Sequence, residues 1–298
     1  MGLSWQQGPL APGAVGRFLT DRPLPERLLF AEPARRRLRV RFDDTWIADS
    51  EEAILLHEPG HYPVAYFPIE HIGEGVLIPV DRTTTHRDLG VTRWFTVAGP
   101  DRRAGRAAWI HTDLPKHASV LARRVAFAWR TMDSFYEEDE RILGHAADNY
   151  HRVDIRSSSR HLVVRAGEAT VADTNAPVVL YESGFAPRWY VPRADIDPTA
   201  LTATPTHTFC PYKGIAGYYS VAGIPDAAWF YRDAFPEAAR IDDLVSFEPD
   251  KLDVFLDGKQ LVLESGQTVV AHGVDRGLEP DEVRRGGRTD PGAGAGHP

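Results

Sequence analysis

The chain has 298 residues, of which 43% are hydrophobic and 26% are charged, and its formal net charge is −8. This composition is typical of a globular protein long enough for two domains, and the negative charge offers no general attraction to nucleic acid or anionic membranes. The single cysteine excludes an internal disulfide and any zinc site built from several thiolates. No apolar run reaches the length of a membrane span and no signal-peptide pattern opens the chain, so we expect a cytoplasmic protein.

Short strands dominate the elements predicted along the chain. An N-terminal segment over 1–35 contains a predicted helix at 24–32. Runs rich in β-forming residues follow at 38–42 (LRVRF), 53–58 (AILLHE), 64–68 (VAYFP), 93–97 (RWFTV), 107–111 (AAWIH), 124–129 (RVAFAW) and 132–137 (MDSFYE). The remaining helices are predicted at 116–124 and 137–148, with short turns near 69–74 and 195–200.

An internal repeat organises these strands. At an offset of 124 residues, IADS at 47–50 falls on VADT at 171–174, and LHEPGHYPVAYFP falls on LYESGFAPRWYVP. At an offset of 120, AAWIH meets AAWFY at 227–231. The sequence therefore predicts a mainly β protein with two tandem antiparallel domains. The predicted parts are the N-terminal segment 1–35, a degenerate first domain 36–136, a linker 137–155, a second domain 156–270 and a disordered tail 271–298.

The pentad HEPGH at 57–61 matches the H-E-x-x-H pattern of zinc metalloproteases. That pattern requires a helix, whereas Pro59 and Gly60 disfavour one and both flanks are strand-like. The second copy places Tyr181 and Phe185 at the two histidine positions. We therefore predict no metal here and interpret the pentad as a turn between strands. Another metal geometry that uses His57, His61, His71 and His86 is an alternative without positive support in the sequence. Its glutamate is retained in both copies, as Glu58 and Glu182, and faces a cavity or lies on a turn.

The stretch THTFCPYKGIAGYYS at 206–220 concentrates the most reactive side chains. The ammonium group of Lys213 could stabilise a thiolate at Cys210, whereas the alternative is a small buried cysteine beside a solvated lysine. The first copy has His86 and Leu89 at these positions but keeps the glycine, as Gly90 opposite Gly214. Any site that uses this cysteine and lysine therefore exists only in the second copy.

With CPYKG followed by YYS and AAWFY, and preceded by RWYVPRADI, the chain resembles a bacterial family, number 427 among the domains of unknown function. The second copy matches its pattern from about Arg160 to Leu256, and the first copy lacks the CPYKG element. The resemblance implies zinc-free β-tent domains, in which two sheets lean over a cavity with a helix near its mouth. The family also carries a nucleotidyltransferase label, but the sequence has no phosphate loop or carboxylate pair to support that activity.

The predicted function is a small-molecule-binding module, with no cofactor, whose pocket lies in the second domain and accepts a small polar or anionic molecule. The predicted pocket residues are Glu182, Arg188, Tyr190, Cys210, Lys213, Tyr219 and Trp229. An enzyme is the alternative, with Cys210 as nucleophile, Lys213 lowering its pKa, and Glu182 or His207 transferring protons. A purely structural or protein-binding role is a third hypothesis. The ligand, the reaction and homo-oligomer formation stay open.

Overall fold

The computed structural model describes residues 19, 21–23, 25, 27–58, 61–183 and 185–262. The chain divides into two compact units, with the boundary between Ala147 and Asp148. The first domain described below therefore ends at Ala147, and the second begins at Asp148. The tail predicted to be disordered, 271–298, lies outside the described residues.

The first domain consists of eleven strands within the described residues. They are β1 Phe30–Pro33, β2 Leu38–Phe42, β3 Thr45–Ser50, β4 Ile54–His57, β5 Val64–Pro68, β6 Leu77–His86, β7 Gly90–Ala98, β8 Arg103–Thr112, β9 Arg124–Phe127, β10 Ser134–Glu137 and β11 Glu140–Ile142. One antiparallel sheet has the order β1-β4-β5-β9-β8-β7-β6, and a smaller one has the order β11-β10-β2-β3. Three 3-10 helices complete the domain, at Ile69–His71, Lys116–Leu121 and Trp129–Thr131.

The second domain repeats this plan. Its strands are β12 Val153–Ser157, β13 Leu162–Ala166, β14 Ala169–Thr174, β15 Val178–Glu182, β16 Arg188–Val191, β17 Leu201–Cys210, β18 Gly214–Val221, β19 Ile224–Tyr231, β20 Val245–Phe247, β21 Asp253–Leu256 and β22 Lys259–Gln260. The larger sheet has the order β12-β15-β16-β20-β19-β18-β17, and the smaller one has the order β14-β13-β21-β22. Its 3-10 helices are Arg193–Asp195, Pro198–Ala200 and Pro236–Ile241.

Alternation along the strands gives the larger sheet of the second domain two different faces. On β19, Ala228 and Phe230 belong to the core that includes Val164 of the smaller sheet. Trp229 and Tyr231 belong to a separate cluster on the opposite face. Since side chains alternate along a strand, the sheet separates the core between the two sheets from the cluster on its other face. Each fully buried valine of that core contributes about 1.5–3 kcal/mol.

The mainly β class and the tandem organisation are confirmed, but two helix predictions are wrong. Within 137–148 the chain forms β11, which pairs with β10, so this segment belongs to the first domain's smaller sheet. Within 24–32 the described end of the segment starts β1, which pairs with β4. In both places, pairing with a neighbouring strand outweighs the weak local helix propensity. The predicted linker 137–155 thus also contains the start of β12.

None of the helices in the described part of the chain is long and apolar enough to span a membrane.

Candidate ligand-binding site

A cavity of about 300 Å³ lies on the outer face of the larger sheet of the second domain, opposite the core between the sheets. Six of the seven predicted pocket residues line it: Glu182, Arg188, Tyr190, Cys210, Lys213 and Trp229. They come from β15, β16, β17, β19 and the loop between β17 and β18. The resemblance implies a cavity between two leaning sheets, whereas this cavity lies on the outer face and core side chains pack between the sheets.

Tyr219, the seventh predicted residue, does not line the cavity. Its ring stacks on Phe230 at 4.8 Å between centroids, and its hydroxyl accepts a hydrogen bond of 2.9 Å from Arg193. The preceding Tyr218 faces the cavity instead, 2.9 Å from the hydroxyl of Thr208. Adjacent residues of a strand point to opposite faces, and Tyr219 packs against the core between the two sheets.

His207, the second candidate for proton transfer, is also outside the cavity lining. It is exposed on β17, and its Nδ1 lies 2.9 Å from the carbonyl oxygen of Pro205. The residues of this strand that line the cavity are Thr206, Thr208, Phe209 and Cys210. His207 therefore does not face the cavity that Glu182 lines.

Glu182 is held between two basic side chains at one side of the cavity. It accepts a hydrogen bond from Nζ of Lys213, and its Oε1 lies 2.9 Å from Nε2 of His151. All three side chains are less than 10% exposed. Burial raises the pKa of Glu182, but Lys213 and His151 outweigh burial and lower it to about 2. Glu182 is therefore a carboxylate at neutral pH and a poor proton acceptor.

Lys213 is a cation committed to this pair. Burial lowers its pKa, but its neighbours, Glu182 among them, outweigh burial and hold the pKa above the ordinary lysine value. The ammonium group therefore neutralises Glu182 and is not available as a base. The sequence suggested that the positive charge of Lys213 attracts an anionic ligand, but Glu182 already balances this charge within the protein.

The hairpin between β17 and β18 brings Lys213 to Glu182. Cys210 pairs with Gly214 across the turn, and Gly214 has a φ of +102°. In the first domain His86 pairs with Gly90, whose φ is +77°. Residues other than glycine rarely adopt these angles, which explains why both copies retain glycine at this position.

Cys210 is buried in the cavity wall. Burial raises the pKa of its thiol, although the Lys213 ammonium lowers it. A neutral thiol is a weak nucleophile, so the arrangement gives no support to the hypothesis of a cysteine-dependent enzyme. Lys213 cannot activate the thiol effectively, because its charge is shared with Glu182.

Arg188 differs from Lys213 because its hydrogen-bonding capacity is unused. Its side chain is 7% exposed, and none of its three guanidinium nitrogens makes a hydrogen bond to the described residues. The nearest charge is Glu248, whose Oε1 lies 3.5 Å from Nη1 of Arg188 and also has no hydrogen-bond partner among these residues. This distance exceeds that of a normal N–H···O bond. Both groups line the cavity and carry polar atoms that have no hydrogen-bond partner among the described residues.

Aromatic side chains form the floor next to Arg188. Its guanidinium carbon lies 5.5 Å from the ring centroid of Trp229, whose Nε1 donates a 3.3 Å hydrogen bond to the hydroxyl of Tyr190. Burial raises the pKa of Tyr190 to about 12, although Lys213 lowers it, so its hydroxyl is neutral. A guanidinium beside apolar rings suits an anionic group attached to an organic body.

The other charged groups of the cavity wall have partners of their own. Asp226 accepts hydrogen bonds from Thr204 and Thr206 at 2.7 and 2.8 Å. Lys251 donates to the backbone carbonyls of Pro225 and Asp226, at 3.0 Å each. Because Asp226 and Lys251 already have hydrogen-bond partners in the protein, they have less unused hydrogen-bonding capacity for a ligand than Arg188 and Glu248.

Sequence reasoning missed several residues of this cavity and its surroundings. The most informative are His151, Tyr218 and Glu248, and further lining residues are Leu180, Phe185, Thr206, Thr208, Phe209, Asp226, Tyr231 and Lys251. The repeat could have indicated His151, because the offset of 124 residues places another basic residue, Arg27, opposite it. The offset of 120 residues places Ala128 opposite Glu248, which marks that acid as specific to the second copy.

In the first domain the equivalent acid is also clamped by two basic groups. Glu58 Oε2 lies 3.0 Å from Nη2 of Arg27 and 2.9 Å from Nε2 of His86. Leu89, at the position of Lys213, is buried in the apolar cluster. The pair that corresponds to Arg188 and Glu248 consists of Val64 and Ala128. The first domain thus retains the clamped acid and lacks the two unsatisfied charges.

The zinc-site match also lies in the first domain. His57 ends strand β4, and its Nε2 lies 3.1 Å from Oε1 of Glu32. A histidine in a strand cannot share a helix face with His61, as the zincin pattern requires. Pro59 and Gly60, which carried the turn prediction, lie outside the described residues. Among those described, no group of three or more His, Cys, Asp or Glu side chains is placed to hold a metal ion.

Comparison with known proteins identifies the repeat unit. A family model described as a domain of unknown function, DUF427, matches twice, over residues 30–138 and 154–258. The two matches cover most of both domains, including every strand that lines the cavity. No curated protein matches the chain.

Proposed function

Because the chain belongs to the DUF427 family, whose description assigns no activity, we propose from geometry alone that its second domain binds a small organic anion. The observation that carries this proposal is Arg188, a buried guanidinium without hydrogen bonds to the described residues, facing a cavity of about 300 Å³. A buried cation that lacks hydrogen bonds costs folding free energy, and an anionic ligand would supply them. The unused donors are therefore best explained by binding.

The remainder of the cavity favours an organic anion over a bare inorganic one. Tyr190 and Trp229 form an apolar floor beside Arg188, and Tyr231 and Phe185 extend the aromatic lining. Their burial of a ligand's apolar part contributes about 25 cal/mol for each Å² removed from water. Arg188 would then fix the orientation of the ligand through its charge.

We place this binding in the cytoplasm of a bacterial cell, in line with the chain's resemblance to a bacterial family. The one cysteine of the chain is free, which suits a reducing compartment. Fractionation of the producing cell tests this location, and recovery of the protein outside the cytoplasm would overturn it.

The binding test uses benzoate, 3-phenylpropionate and indole-3-acetate as probes, with inorganic phosphate for comparison. We expect at least one organic anion to raise the melting temperature of the wild-type chain and to bind in titration calorimetry. Arg188→Met should weaken that binding about tenfold or more, because a charge-assisted hydrogen bond is lost. Arg232→Met removes an exposed arginine of the same domain and should leave it unchanged. The absence of binding to wild type, or equal binding to Arg188→Met, would contradict the proposal.

A further inference from the structure

We propose that the anion bound in this cavity is the carboxylate of a free α-amino acid with an apolar or aromatic side chain, held as a zwitterion between Arg188 and Glu248. This inference rests on the proposed function and names its ligand class. The basis is that two opposite charges of the cavity wall lie side by side, and that the three guanidinium nitrogens of Arg188 and Oε1 of Glu248 make no hydrogen bond to the described residues.

Strand register places the two groups next to each other. In the pairing of β16 with β20, Tyr190 lies opposite Ser246. The strands are antiparallel, so Arg188, two residues before Tyr190, lies opposite Glu248, two residues after Ser246, on the same face. Both side chains line the cavity, and the separation of 3.5 Å between Nη1 and Oε1 leaves each group close to the other without a hydrogen bond.

The chemistry of this pair matches both charges of an amino acid. The guanidinium of Arg188 can donate two parallel hydrogen bonds to an α-carboxylate. The carboxylate of Glu248 can accept from an α-ammonium group, which is attached to the neighbouring carbon of the same ligand. A ligand with a carboxylate alone would place its negative charge beside Glu248, which costs binding free energy. A zwitterion meets the demand of both protein groups.

The rest of the cavity selects the side chain of the amino acid. Lys213 is already paired with Glu182, while Asp226 accepts hydrogen bonds from Thr204 and Thr206. A charged ligand side chain would have to compete with these contacts. The remaining lining consists mainly of aromatic rings, with Leu180, Cys210 and two threonines, and this surface favours an apolar or aromatic ligand side chain.

The first domain supplies an independent comparison. Its equivalent strand pair joins Tyr66 with Ala126, which places Val64 opposite Ala128. Both charges of the pair are therefore absent together, although the clamped acid Glu58 remains. This joint replacement is expected if Arg188 and Glu248 serve one ligand, because either charge alone would be buried without a partner.

Titration calorimetry on the full chain tests this ligand class. The probes are L-phenylalanine, L-tyrosine, L-tryptophan and L-leucine, each with the carboxylic acid that lacks the amino group and the amine that lacks the carboxylate. We expect at least one amino acid to bind wild type about tenfold or more tightly than its two analogues. Glu248→Gln should remove that preference, with weaker binding of the amino acid and equal or tighter binding of the matching acid. Glu237→Gln, which changes an exposed acid of the same domain, should preserve it.

The outcomes separate this inference from the proposed function. If the acids bind in an Arg188-dependent manner and no amino acid binds more tightly, the amino-acid class is overturned and the anion site stands. If neither series binds in an Arg188-dependent manner, both proposals fail. An amino-acid preference that survives Glu248→Gln would also overturn the assigned role of Glu248.

Discussion

The two domains clamp the same acid with different basic groups. Arg27 and His86 contact Glu58 in the first domain, whereas His151 and Lys213 contact Glu182 in the second. In each case one partner precedes the first strand of the larger sheet and the other comes from the long hairpin at its far end. The clamped acid is therefore a shared structural feature, and the identity of its partners can change as long as the charge is balanced.

The cross-strand pair beside the clamp shows the opposite behaviour. Arg188 and Glu248 have unmet hydrogen-bonding capacity in the second domain, whereas Val64 and Ala128 present no charge in the first. Unsatisfied buried charges destabilise a folded protein, so their presence in one copy points to a role other than folding. The comparison separates a clamp that stabilises the fold from a pair that we assign to ligand binding.

The largest effect is expected when the clamp of the second domain is broken. Glu182→Leu would leave the buried Lys213 ammonium without its carboxylate and should lower the free energy of unfolding by about 3–5 kcal/mol. The double variant Glu182→Leu, Lys213→Leu should recover much of this loss. Glu58→Leu should cost less, because Arg27 is 22% exposed and keeps its 2.7 Å contact with Asp88. Urea unfolding measures the free energy of unfolding of all three variants. An equal loss in Glu182→Leu and Glu58→Leu would contradict the difference between the two clamps.

The clamp should also make the second domain sensitive to acid. The pKa of Glu182 is lowered from 4.5 to about 2, so its contribution is present above about pH 4.5 and is lost as the pH falls through about 2. The shift corresponds to about 3 kcal/mol. The difference in free energy of unfolding between wild type and Glu182→Gln should therefore shrink by about 3 kcal/mol from about pH 6 to about pH 2. A difference independent of pH in urea titrations would contradict the assignment of charge.

A smaller effect of opposite sign is expected when the pair of the second domain is replaced by that of the first. Arg188→Val combined with Glu248→Ala removes a buried guanidinium without hydrogen bonds to the described residues and the part-buried carboxylate beside it. The free chain should be equally stable or more stable by about 1 kcal/mol. The same variant should not bind organic anions. Urea unfolding and calorimetry measure the two properties, and a large loss of stability would identify the pair as structural.

The smallest effect distinguishes the two faces of the larger sheet. Tyr218→Phe removes the part-buried contact with Thr208 on the cavity face and should cost about 1 kcal/mol. Tyr219→Phe removes a more exposed contact with Arg193 and should cost about 0.5 kcal/mol or less. Probe binding should change only in the first variant. A change in probe affinity in Tyr219→Phe would indicate that Tyr219 contributes to the binding site.

Several features of the fold and the cavity could be predicted from the sequence. The duplication and the strand-rich pattern gave the two β domains, and comparing the copies identified Glu182, Cys210 and Lys213 as neighbours worth testing. Six of seven pocket residues line the cavity: five lie on strands of the larger sheet, and Lys213 lies in the loop between β17 and β18. Tyr219 packs against the core and lies outside the cavity lining, a placement that could not be predicted because the sequence does not state which face of a strand is buried against the core.

Other features required the three-dimensional structure. Pairing of β11 with β10 overrides the local helix preference over 137–148, and β10 in turn pairs with β2, which is distant in the sequence. Glu248 follows a three-residue strand, so only the register of β16 and β20 brings it to Arg188. The unused donors of Arg188 are a property of its surroundings and have no signature in the sequence.

Calorimetric stoichiometry tests the central claim most directly, because the chain contains two copies of one domain but one copy of the Arg188–Glu248 pair. For the probe that binds wild type most tightly, we predict one molecule bound for each chain, and binding weakened about tenfold or more in Arg188→Met. Two molecules for each chain, or unchanged affinity in Arg188→Met, would contradict the assignment of binding to the second domain alone.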